Sequence, residues 1–292
     1  MTSDQQKILL VLNPKAGKRK TLRDKDKLIK LINSYGYNCF TYITNGKNDY
    51  LNIRRIKENE QIAKVIVCGG DGTLNMVVTS LYDYVSELTF IFLPYGSINI
   101  FAKENNYPKD PVYALEMILK NRNVINLKPG VINNKKIFLL MTSVGFDSHL
   151  VYKVQTSKNK YMFFNYIFRF FTEIFRYDFK RKFRLIHEDS TYYGNFIIVS
   201  NIKRYAGFLK LTPNALLSDN YFDILILNAD SFFKVFIFIL KTIFSFNSKN
   251  IKRLKCDKVI IEGECISQVD GEIADELPLV INKGEEIRFE VP

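Results

Sequence analysis

A glycine-rich run that follows a short apolar segment carries the clearest chemical signal in the sequence. Residues 65–68 are apolar, and the chain continues with Gly69-Gly70-Asp71-Gly72-Thr73-Leu74-Asn75. Glycines permit positive φ and a close approach of the backbone to a ligand. Apolar residues recur at helical spacing from Leu74 onward, so this order predicts a strand, a tight turn and a helix N-terminus that favours a phosphate group.

Two polar residues in the run refine this prediction. The hydroxyl group of Thr73 is expected to cap the new helix. A carboxylate repels phosphate unless a metal ion or a hydroxyl donor lies between them, so Asp71 indicates a nucleotide phosphate bound together with Mg²⁺. An ordinary strand-to-helix turn is the alternative for a bare glycine-rich turn, and the complete Gly-Gly-Asp-Gly-Thr run favours the phosphate site.

Strand-like and helix-like segments alternate through the first part of the chain. Strands are predicted at residues 7–12, 37–43, 65–68 and 88–93, which indicates an α/β domain with a doubly wound, mostly parallel sheet. Besides the central run, these strands lead into Asn13-Pro14-Lys15-Ala16-Gly17-Lys18, Thr44-Asn45-Gly46 and Pro94-Tyr95-Gly96-Ser97-Ile98-Asn99. Ligands bind beyond the carboxyl ends of parallel strands, and all of these turns fall on that edge.

The character of the sequence changes after about residue 126. Residues 124–131 and 136–144 are predicted to form paired strands around Asn133-Asn134. Further strand-like runs occur at residues 183–186, 195–200, 222–227, 258–261, 264–269 and 286–291. We therefore expect a nucleotide-binding domain over residues 1–127 and a β-rich sandwich domain over residues 128–292, and the last strand is free to return to the first domain.

The charge of the chain bears on its partners. A net charge of +12 among 292 residues predicts attraction to a polyanion, either nucleic acid or an anionic membrane surface. No nucleic-acid-binding motif is recognisable, so no nucleic acid partner is expected. Residues 161–184 and 232–253 combine aromatic and basic side chains, which is typical of segments that lie in a membrane interface. The alternative is a pair of core helices with solvated basic ends.

Cysteine usage and hydropathy bear on location. Cys39, Cys68, Cys256 and Cys265 have neither metal-type spacing nor a disulfide pattern, which favours a reduced, cytoplasmic protein. The polar N-terminus gives no sign of a signal peptide, and no uncharged apolar run reaches the ~18 residues of a transmembrane helix. We expect a cytoplasmic protein that associates peripherally with the inner face of the membrane. The sequence leaves a homodimer open.

A set of motifs in a fixed order resembles the lipid kinase family that contains bacterial diacylglycerol kinases, sphingosine kinases and ceramide kinases. Three of the matching segments are the first loop (residues 13–17), the central run (residues 69–75) and the third loop (residues 94–102). The others are Val144-Gly145-Phe146-Asp147, Pro213-Asn214-Ala215-Leu216-Leu217-Ser218-Asp219-Asn220-Tyr221-Phe222-Asp223 and Val269-Asp270-Gly271-Glu272. NAD kinases and phosphofructokinases share Gly-Gly-Asp-Gly. Phosphofructokinases are disfavoured by length and by the β-rich second half, and NAD kinases lack this arrangement of the third loop and the late Asp-Gly-Glu.

The resemblance implies a NAD-kinase/phosphofructokinase-like first domain and a lipid-binding second domain, with ATP in the cleft between them. The implied reaction is ATP-dependent phosphorylation of a lipid hydroxyl, most closely that of diacylglycerol to give phosphatidic acid. Backbone N–H groups of Gly70, Gly72 and Thr73 would then hold the phosphates. The further residues expected at the nucleotide are Asn13, Thr44, Gly69, Asn75, Ser97 and Asn99.

The same resemblance assigns the catalytic carboxylates. Asp71 would organise catalytic Mg²⁺, directly or through water. Glu272 would accept the proton of the lipid hydroxyl, and Asp270 is the competing candidate, because two carboxylates one residue apart can diverge in pKa. A plain hairpin turn is the alternative for Asp270-Gly271-Glu272 on its own.

A second, structural Mg²⁺ is also implied by the resemblance. Its ligands would be Asp219 and the backbone oxygens of Leu216 and Tyr221, completed by water. The alternative is that Asp219 is a solvated turn residue.

Departures from the family pattern bear on the substrate. Ile100 stands where many members have Asp, and Asn220 replaces a glycine but tolerates the same left-handed conformation. These changes leave the identity of the lipid open. The competing readings are a sphingoid-base, ceramide or other small-molecule kinase, and a catalytically silent lipid- or nucleotide-binding protein. The presence of both Asp71 and Glu272 favours an active enzyme.

Overall fold

The structure of the chain, a computed structural model, describes residues 6–156, 169, 172–205, 207, 209–229, 231–243 and 251–292. The chain forms two compact units, Met1–Lys128 with Glu285–Pro292, and Pro129–Gly284. The last strand of the chain therefore belongs to the first unit.

The first unit is built on one mixed, mostly parallel sheet, as the sequence predicted. Its strands are β1 (Lys7–Leu12), β2 (Asn38–Ile43), β3 (Ile62–Gly69), β4 (Thr89–Pro94), β5 (Asn123–Leu127) and β20 (Ile287–Val291), in the spatial order β2-β1-β3-β4-β20-β5. β20 pairs in parallel with β4 and antiparallel with β5. The side chains of residues 8–12 of β1 are fully buried, as expected for a strand covered on both faces.

Helices connect these strands. They are α1 (Lys20–Ser34), α2 (Asp49–Asn59), α3 (Asp71–Ser80), α4 (Ile100–Glu104) and α5 (Pro111–Asn121), with short 3-10 turns at Ala16–Arg19 and Tyr82–Tyr84. Because β1, β2, β3 and β4 run in parallel, the loops that follow them meet at one edge of the sheet. This is the edge at which the sequence placed the candidate nucleotide loops.

The second unit is a β-rich sandwich, which confirms the predicted class. Its strands are β6 (Gly130–Ile132), β7 (Lys136–Phe138), β8 (Met141–Gly145), β9 (Phe183–His187), β10 (Ser190–Gly194), β11 (Phe196–Ser200), β12 (Arg204–Tyr205), β13 (Leu209–Lys210), β14 (Phe222–Leu227), β15 (Ile251–Cys256), β16 (Lys258–Glu262), β17 (Ile266–Val269), β18 (Glu272–Glu276) and β19 (Leu279–Lys283). In the described part of the chain they form two main sheets, in the orders β10-β9-β16-β19-β6-β7 and β15-β14-β11-β8-β17-β18, and the short pair β12-β13.

Both sheets contribute to one apolar core. Phe138 from the first sheet and Phe222 from the second are fully buried, with ring centres 5.5 Å apart. The sheets are accompanied by helices that include α6 (Phe146–Gln155) and α7 (Phe232–Ile243).

Two predicted strands are wrong in their extent. Residues 124–131 were expected to form one strand, but they divide into β5 of the first unit and β6 of the second, with Pro129, which has no N–H group to donate, between them. Residues 136–144 likewise divide into β7 and β8. The expected pairing around Asn133-Asn134 is confirmed between β6 and β7.

The two aromatic and basic stretches are only partly described. Residues 157–168 and 170–171 of the first stretch and residues 244–250 of the second lie outside the described residues. Within the second stretch, residues 232–243 form α7, whereas residues 251–253 belong to β15, so the prediction of a single amphipathic segment is wrong there. Among the helices of the described residues, none combines the length and the apolar character needed to cross a membrane.

Candidate active site

Hydrogen bonds connect three loops at the sheet edge of the first unit. The side-chain Nδ2 of Asn13, after β1, donates a hydrogen bond to Thr73 Oγ1 over 2.9 Å. The backbone N–H groups of Tyr95 and Gly96, after β4, donate to the carbonyl of Gly69 over 2.8 and 3.0 Å. The first and third loops are thus both joined to the central run, and we call this arrangement the three-loop cluster.

Glycines allow the backbones of the cluster to touch. A Cβ atom on Gly69 would lie 2.5 Å from the Cβ of Thr73. A Cβ atom on Gly96 would lie 2.5 Å from both Gly70 Cα and Asn99 Oδ1. Such distances are shorter than any real van der Waals contact. A side chain at Gly96 would therefore separate the third loop from the central run, and one at Gly69 would clash with Thr73 within the central run.

Asn99 presents an unsatisfied acceptor inside the cluster. It adopts a φ of 51°, and its Nδ2 donates to the carbonyl of Gly96 over 2.8 Å. Its Oδ1 is buried and has no hydrogen-bond partner among the described residues. Buried polar atoms are almost always hydrogen-bonded, so this oxygen is suited to a donor group of a bound molecule.

The expected capping role of Thr73 is wrong. α3 begins at Asp71 with Gly70 as its N-cap residue, and no described side chain caps it. Thr73 is therefore the third helical residue, and its hydroxyl oxygen accepts the Asn13 hydrogen bond instead. A helix N-terminus without a side-chain cap leaves the N–H groups of its first turn to an anion.

Asp71 joins the central run to the third loop. Its Oδ2 accepts the N–H of Ile100 over 2.9 Å and its Oδ1 accepts the N–H of Phe101 over 3.1 Å. Desolvation raises the pKa of Asp71, and these hydrogen bonds and the charge of Lys103 partly oppose that shift. Carboxylate oxygens are hard ligands with further lone pairs, so Asp71 fits a divalent cation that arrives with a nucleotide phosphate.

The remaining predicted nucleotide residues lie around the cluster. Gly72 is in the first turn of α3, and Ser97 is exposed in the third loop. Thr44 is buried at the end of β2 beside the first loop, where its N–H donates to the carbonyl of Leu12 over 2.9 Å. Asn75 is engaged within α3, because its Oδ1 accepts the hydroxyl of Thr79.

One structural link of the cluster was missed by the sequence reasoning. The hydroxyl of Tyr95 donates to Asp24 Oδ2 over 3.1 Å, which fastens the third loop to α1. Both side chains are buried, and burial raises the pKa of Tyr95. A long-range polar pair of this kind has no local sequence signal, because the two residues lie on different elements.

In the second unit, Asp270 occupies a two-residue hairpin turn between β17 and β18. Asp270 and Gly271 have φ values of 48° and 87°, as a type I′ turn requires. The Asp270 carboxylate accepts the N–H groups of Leu139, Leu140 and Met141 over 2.8, 2.9 and 2.9 Å. These bonds occupy the carboxylate and explain why the predicted strand over residues 136–144 is interrupted.

Glu272 has a different environment, although it lies two residues further on. Its side chain is exposed, and its carboxylate makes no hydrogen bond or ion pair to any residue that the structure describes. Desolvation by the surrounding protein raises the pKa of Glu272, and the charge of Lys136 partly opposes this. A carboxylate with a raised pKa and access to solvent is suited to accept a proton.

Two of the three predicted ligands of a structural Mg²⁺ already accept hydrogen bonds within the protein. Asp219 Oδ2 accepts a hydrogen bond from Lys255 Nζ over 2.7 Å. The carbonyl of Leu216 accepts the N–H of Asp219 over 3.1 Å, and Tyr221 is half exposed. With the Lys255 ammonium on the only carboxylate of the set, these residues do not fit a divalent cation.

A cavity of about 550 Å³ lies in the second unit. Its apolar lining includes Phe183, Ile266 and Leu277, and its polar lining includes His149 and Arg176. A cavity of this size and mixed lining is typical of a small-molecule site.

Comparisons with known proteins cover both units. A family model described as the diacylglycerol kinase catalytic domain matches residues 7–127, and a model of the YegS C-terminal NAD kinase beta sandwich-like domain matches residues 141–288. A curated diacylglycerol kinase of Staphylococcus aureus (strain MRSA252) is 26% identical over 225 residues, which cover 74% of this chain and 69% of that protein. The diacylglycerol kinase of Staphylococcus carnosus (strain TM300) is 23% identical over 286 residues, which cover 92% and 89%.

Solved structures agree in fold. A crystal structure of a diacylglycerol kinase from Bacillus anthracis str. Sterne has a TM-score of 0.74 and 18% identity, with 100% of this chain and 98% of that chain covered. A second structure from the same organism has a TM-score of 0.81 and 20% identity, with 100% and 97% covered. The chain belongs to the diacylglycerol kinase-like lipid kinase family, with a diacylglycerol kinase catalytic domain followed by a YegS C-terminal NAD kinase beta sandwich-like domain.

Proposed function

We propose that the chain is an ATP-dependent lipid kinase that transfers the γ-phosphate of ATP to the hydroxyl group of diacylglycerol and forms phosphatidic acid. The observation that carries this proposal is the three-loop cluster, in which Asp71 lies at the N-terminus of α3. A helix N-terminus attracts phosphate, and an adjacent carboxylate attracts the accompanying cation. The names of the curated relatives support diacylglycerol as the acceptor.

The contacts of the cluster support the following proposed roles toward the nucleotide. Backbone N–H groups of Gly70, Gly72 and Thr73 bind the phosphates. The unsatisfied Oδ1 of Asn99 accepts a hydrogen bond from the nucleotide. Asn13 and the third loop hold these groups in position. The further polar contacts are assigned to Thr44, Ser97 and the backbone at Gly69, whereas Asn75 acts within α3.

Asp71 would hold the metal that accompanies ATP, directly or through water. Mg²⁺ bound there would neutralise charge on the transferring phosphoryl group. The protein's own contribution is positioning, because the hydrogen bonds from Ile100 and Phe101 fix the direction of the carboxylate.

Glu272 is the proposed proton acceptor, and Asp270 is the residue that positions it. Three N–H groups hold the Asp270 carboxylate, so protonating it would disrupt the hairpin. Glu272 follows that hairpin directly, and its raised pKa suits a base that takes the proton of the attacking hydroxyl group.

The second unit is proposed to bind the lipid and to contact an anionic membrane surface. α7 buries Val235 and Phe238 but exposes Phe233 by 72% and Ile237 by 48%. Large exposed apolar side chains on one helix face, together with the net charge of +12, suit peripheral binding to an anionic leaflet. This fits a cytoplasmic protein at the inner face of the membrane. We place the lipid in the cavity of the second unit.

A substrate panel tests the proposed acceptor. Purified protein is mixed with labelled ATP, Mg²⁺ and mixed micelles that contain diacylglycerol, sphingosine or ceramide, one lipid at a time. We expect labelled phosphatidic acid from diacylglycerol and little product from the other lipids. Product from sphingosine or ceramide alone would assign the chain to the other branch of the family. Nucleotide binding without product from any lipid would favour the silent binding protein.

A further inference from the structure

The loop before β14 holds an acidic residue in contact with a lysine. The N–H of Asp219 donates to the carbonyl of Leu216 over 3.1 Å and closes the turn. Lys255 Nζ lies 2.7 Å from Asp219 Oδ2, and 48% and 23% of the two side chains are exposed. The chain therefore supplies its own cation to this carboxylate.

Strand register fixes the position of the lysine. β14 and β15 are antiparallel, and their pairing places Lys255 opposite Asp223 and Cys256 opposite Phe222. Residues directly opposite one another in such a pair carry their side chains on the same face. Lys255 is thus held on the face of Asp223, and its long side chain reaches Asp219 in the preceding loop.

Among the charged groups that interact around Asp223, cations outnumber carboxylates. The charged groups that interact there are Asp219 and Asp223 on one side and Arg253, Lys255 and Lys283 on the other. Arg253 is held by a hydrogen bond to the carbonyl of Leu211, and Lys283 Nζ donates to Asn201 Oδ1 over 2.6 Å. A divalent cation that entered this group would add to an existing excess of positive charge.

We propose that Lys255 is a built-in counter-ion that takes the place of a divalent cation at Asp219, so that the loop from Leu216 to Phe222 keeps its conformation without metal. The proposal follows from the ion pair, the strand register and the charge count. It does not depend on which lipid the chain phosphorylates.

Removing the ammonium group should convert the loop into a metal site. In Lys255→Gln, the carboxylate of Asp219 and the carbonyls of Leu216 and Tyr221 would become a set of hard oxygen donors. Lys252→Gln is a matched control, because Lys252 lies on the opposite face of β15, 4.3 Å from the centre of the Tyr192 ring.

The predicted metal site is tested by measuring the thermal unfolding of the full, nucleotide-free chain in EDTA and in MgCl₂. We expect the same unfolding temperature in both solutions for wild type and Lys252→Gln. Lys255→Gln should gain roughly 2–4 °C in MgCl₂, a shift typical of ligand binding to a protein of this size. Adding Asp219→Asn should abolish that gain and so locate the metal at this loop.

Two outcomes would overturn the proposal. One is a wild-type protein whose unfolding temperature rises with MgCl₂, provided that Asp219→Asn removes the rise. The other is a folded Lys255→Gln variant that shows no response to metal. If Lys255→Gln does not fold, Mn²⁺ binding to wild type and to Asp219→Asn decides the question, since binding that depends on Asp219 contradicts the proposal. Neither readout uses phosphate transfer, so a failure here is distinct from a failure of the proposed function.

Discussion

At the scale of single residues, the carboxylates of Asp270 and Glu272 lie in one hairpin but have different surroundings. Asp270 is held by three backbone N–H groups, whereas the Glu272 carboxylate remains accessible and has a raised pKa. The sequence made both residues candidates for the proton acceptor and left the choice between them open. Residue types and spacing do not reveal hydrogen bonds to residues about 130 positions away in the chain, so only the fold separates the two roles.

Substitutions should separate those roles experimentally. Glu272→Gln keeps the size of the side chain, so we expect stability within about 0.5 kcal/mol of wild type and phosphate transfer reduced by roughly 10²–10⁴-fold. Asp270→Asn weakens the bonds to three N–H groups, so unfolding should be easier by about 2–3 kcal/mol. Denaturant unfolding and transfer rates of both variants check this. A stable, inactive Asp270→Asn beside an active Glu272→Gln would reverse the assignment.

The pH dependence follows from the direction of the Glu272 pKa. The base acts as a carboxylate, so kcat/KM at saturating MgATP should fall as the pH drops through its pKa. Because that pKa is raised, the midpoint should lie above the ordinary glutamate value of about 4.3. Lys136→Gln removes a charge that favours the carboxylate, so it should move the midpoint to still higher pH. A profile that Lys136→Gln and Glu272→Gln both leave unchanged would exclude Glu272 as the titrating group.

At the scale of elements, the strands and turns of the first unit follow local rules that a sequence displays. β1, β3 and β4 are apolar runs that end in glycine- or proline-containing turns, and their parallel pairing brings those turns together. The bounds of other elements could not be predicted from local sequence. No residue of β18 is buried, and the strand shows no clear alternation. β5 and β6 lie in one strand-like stretch of sequence, and where it divides depends on which sheet each part joins.

Contact between the turns gives a prediction at this scale. In Gly96→Ala the new Cβ would meet Gly70 Cα at 2.5 Å, and because backbone cannot move aside cheaply, the third loop should shift. We expect a loss of about 1–3 kcal/mol in stability and at least a tenfold loss of affinity for a non-hydrolysable ATP analogue, measured by calorimetry.

Gly36→Ala provides the control for that variant. Gly36 has a φ of +82°, and a Cβ there meets nothing within 4 Å, so the substitution introduces backbone strain of about 1 kcal/mol without a clash. Its affinity for the nucleotide analogue should be unchanged. Equal affinities in the two variants would show that the close approach of Gly96 and Gly70 is irrelevant to nucleotide binding.

At the scale of the whole molecule, the resemblance in motif order is confirmed by family models that match both units. The predicted ligands of the structural Mg²⁺ are the family assignment that this chain does not fit. In our proposal, Asp219 holds no metal because of Lys255, which lies 36 positions away and belongs to no motif.

Membrane binding belongs to this scale, since it combines net charge with an exposed helix face. We expect the chain to co-sediment with anionic vesicles, to bind neutral vesicles weakly, and to be released by salt. Phe233→Ser should weaken binding roughly tenfold, because it removes an exposed aromatic side chain that the membrane would bury. Tyr113→Ser, which changes an exposed aromatic residue of the first unit, should have no effect. Recovery that is equal for both vesicle types and insensitive to salt would contradict membrane docking.

The most direct test of the central claim is the initial rate of γ-phosphate transfer from ATP to diacylglycerol in mixed micelles, with Mg²⁺, for wild type, Asp71→Ala and Glu272→Gln. We predict phosphatidic acid from wild type and a rate at least a hundredfold lower from each variant, with both variants folded. Transfer that persists in both folded variants would contradict the assignment of the active site, and the absence of transfer by wild type would contradict the proposed reaction itself.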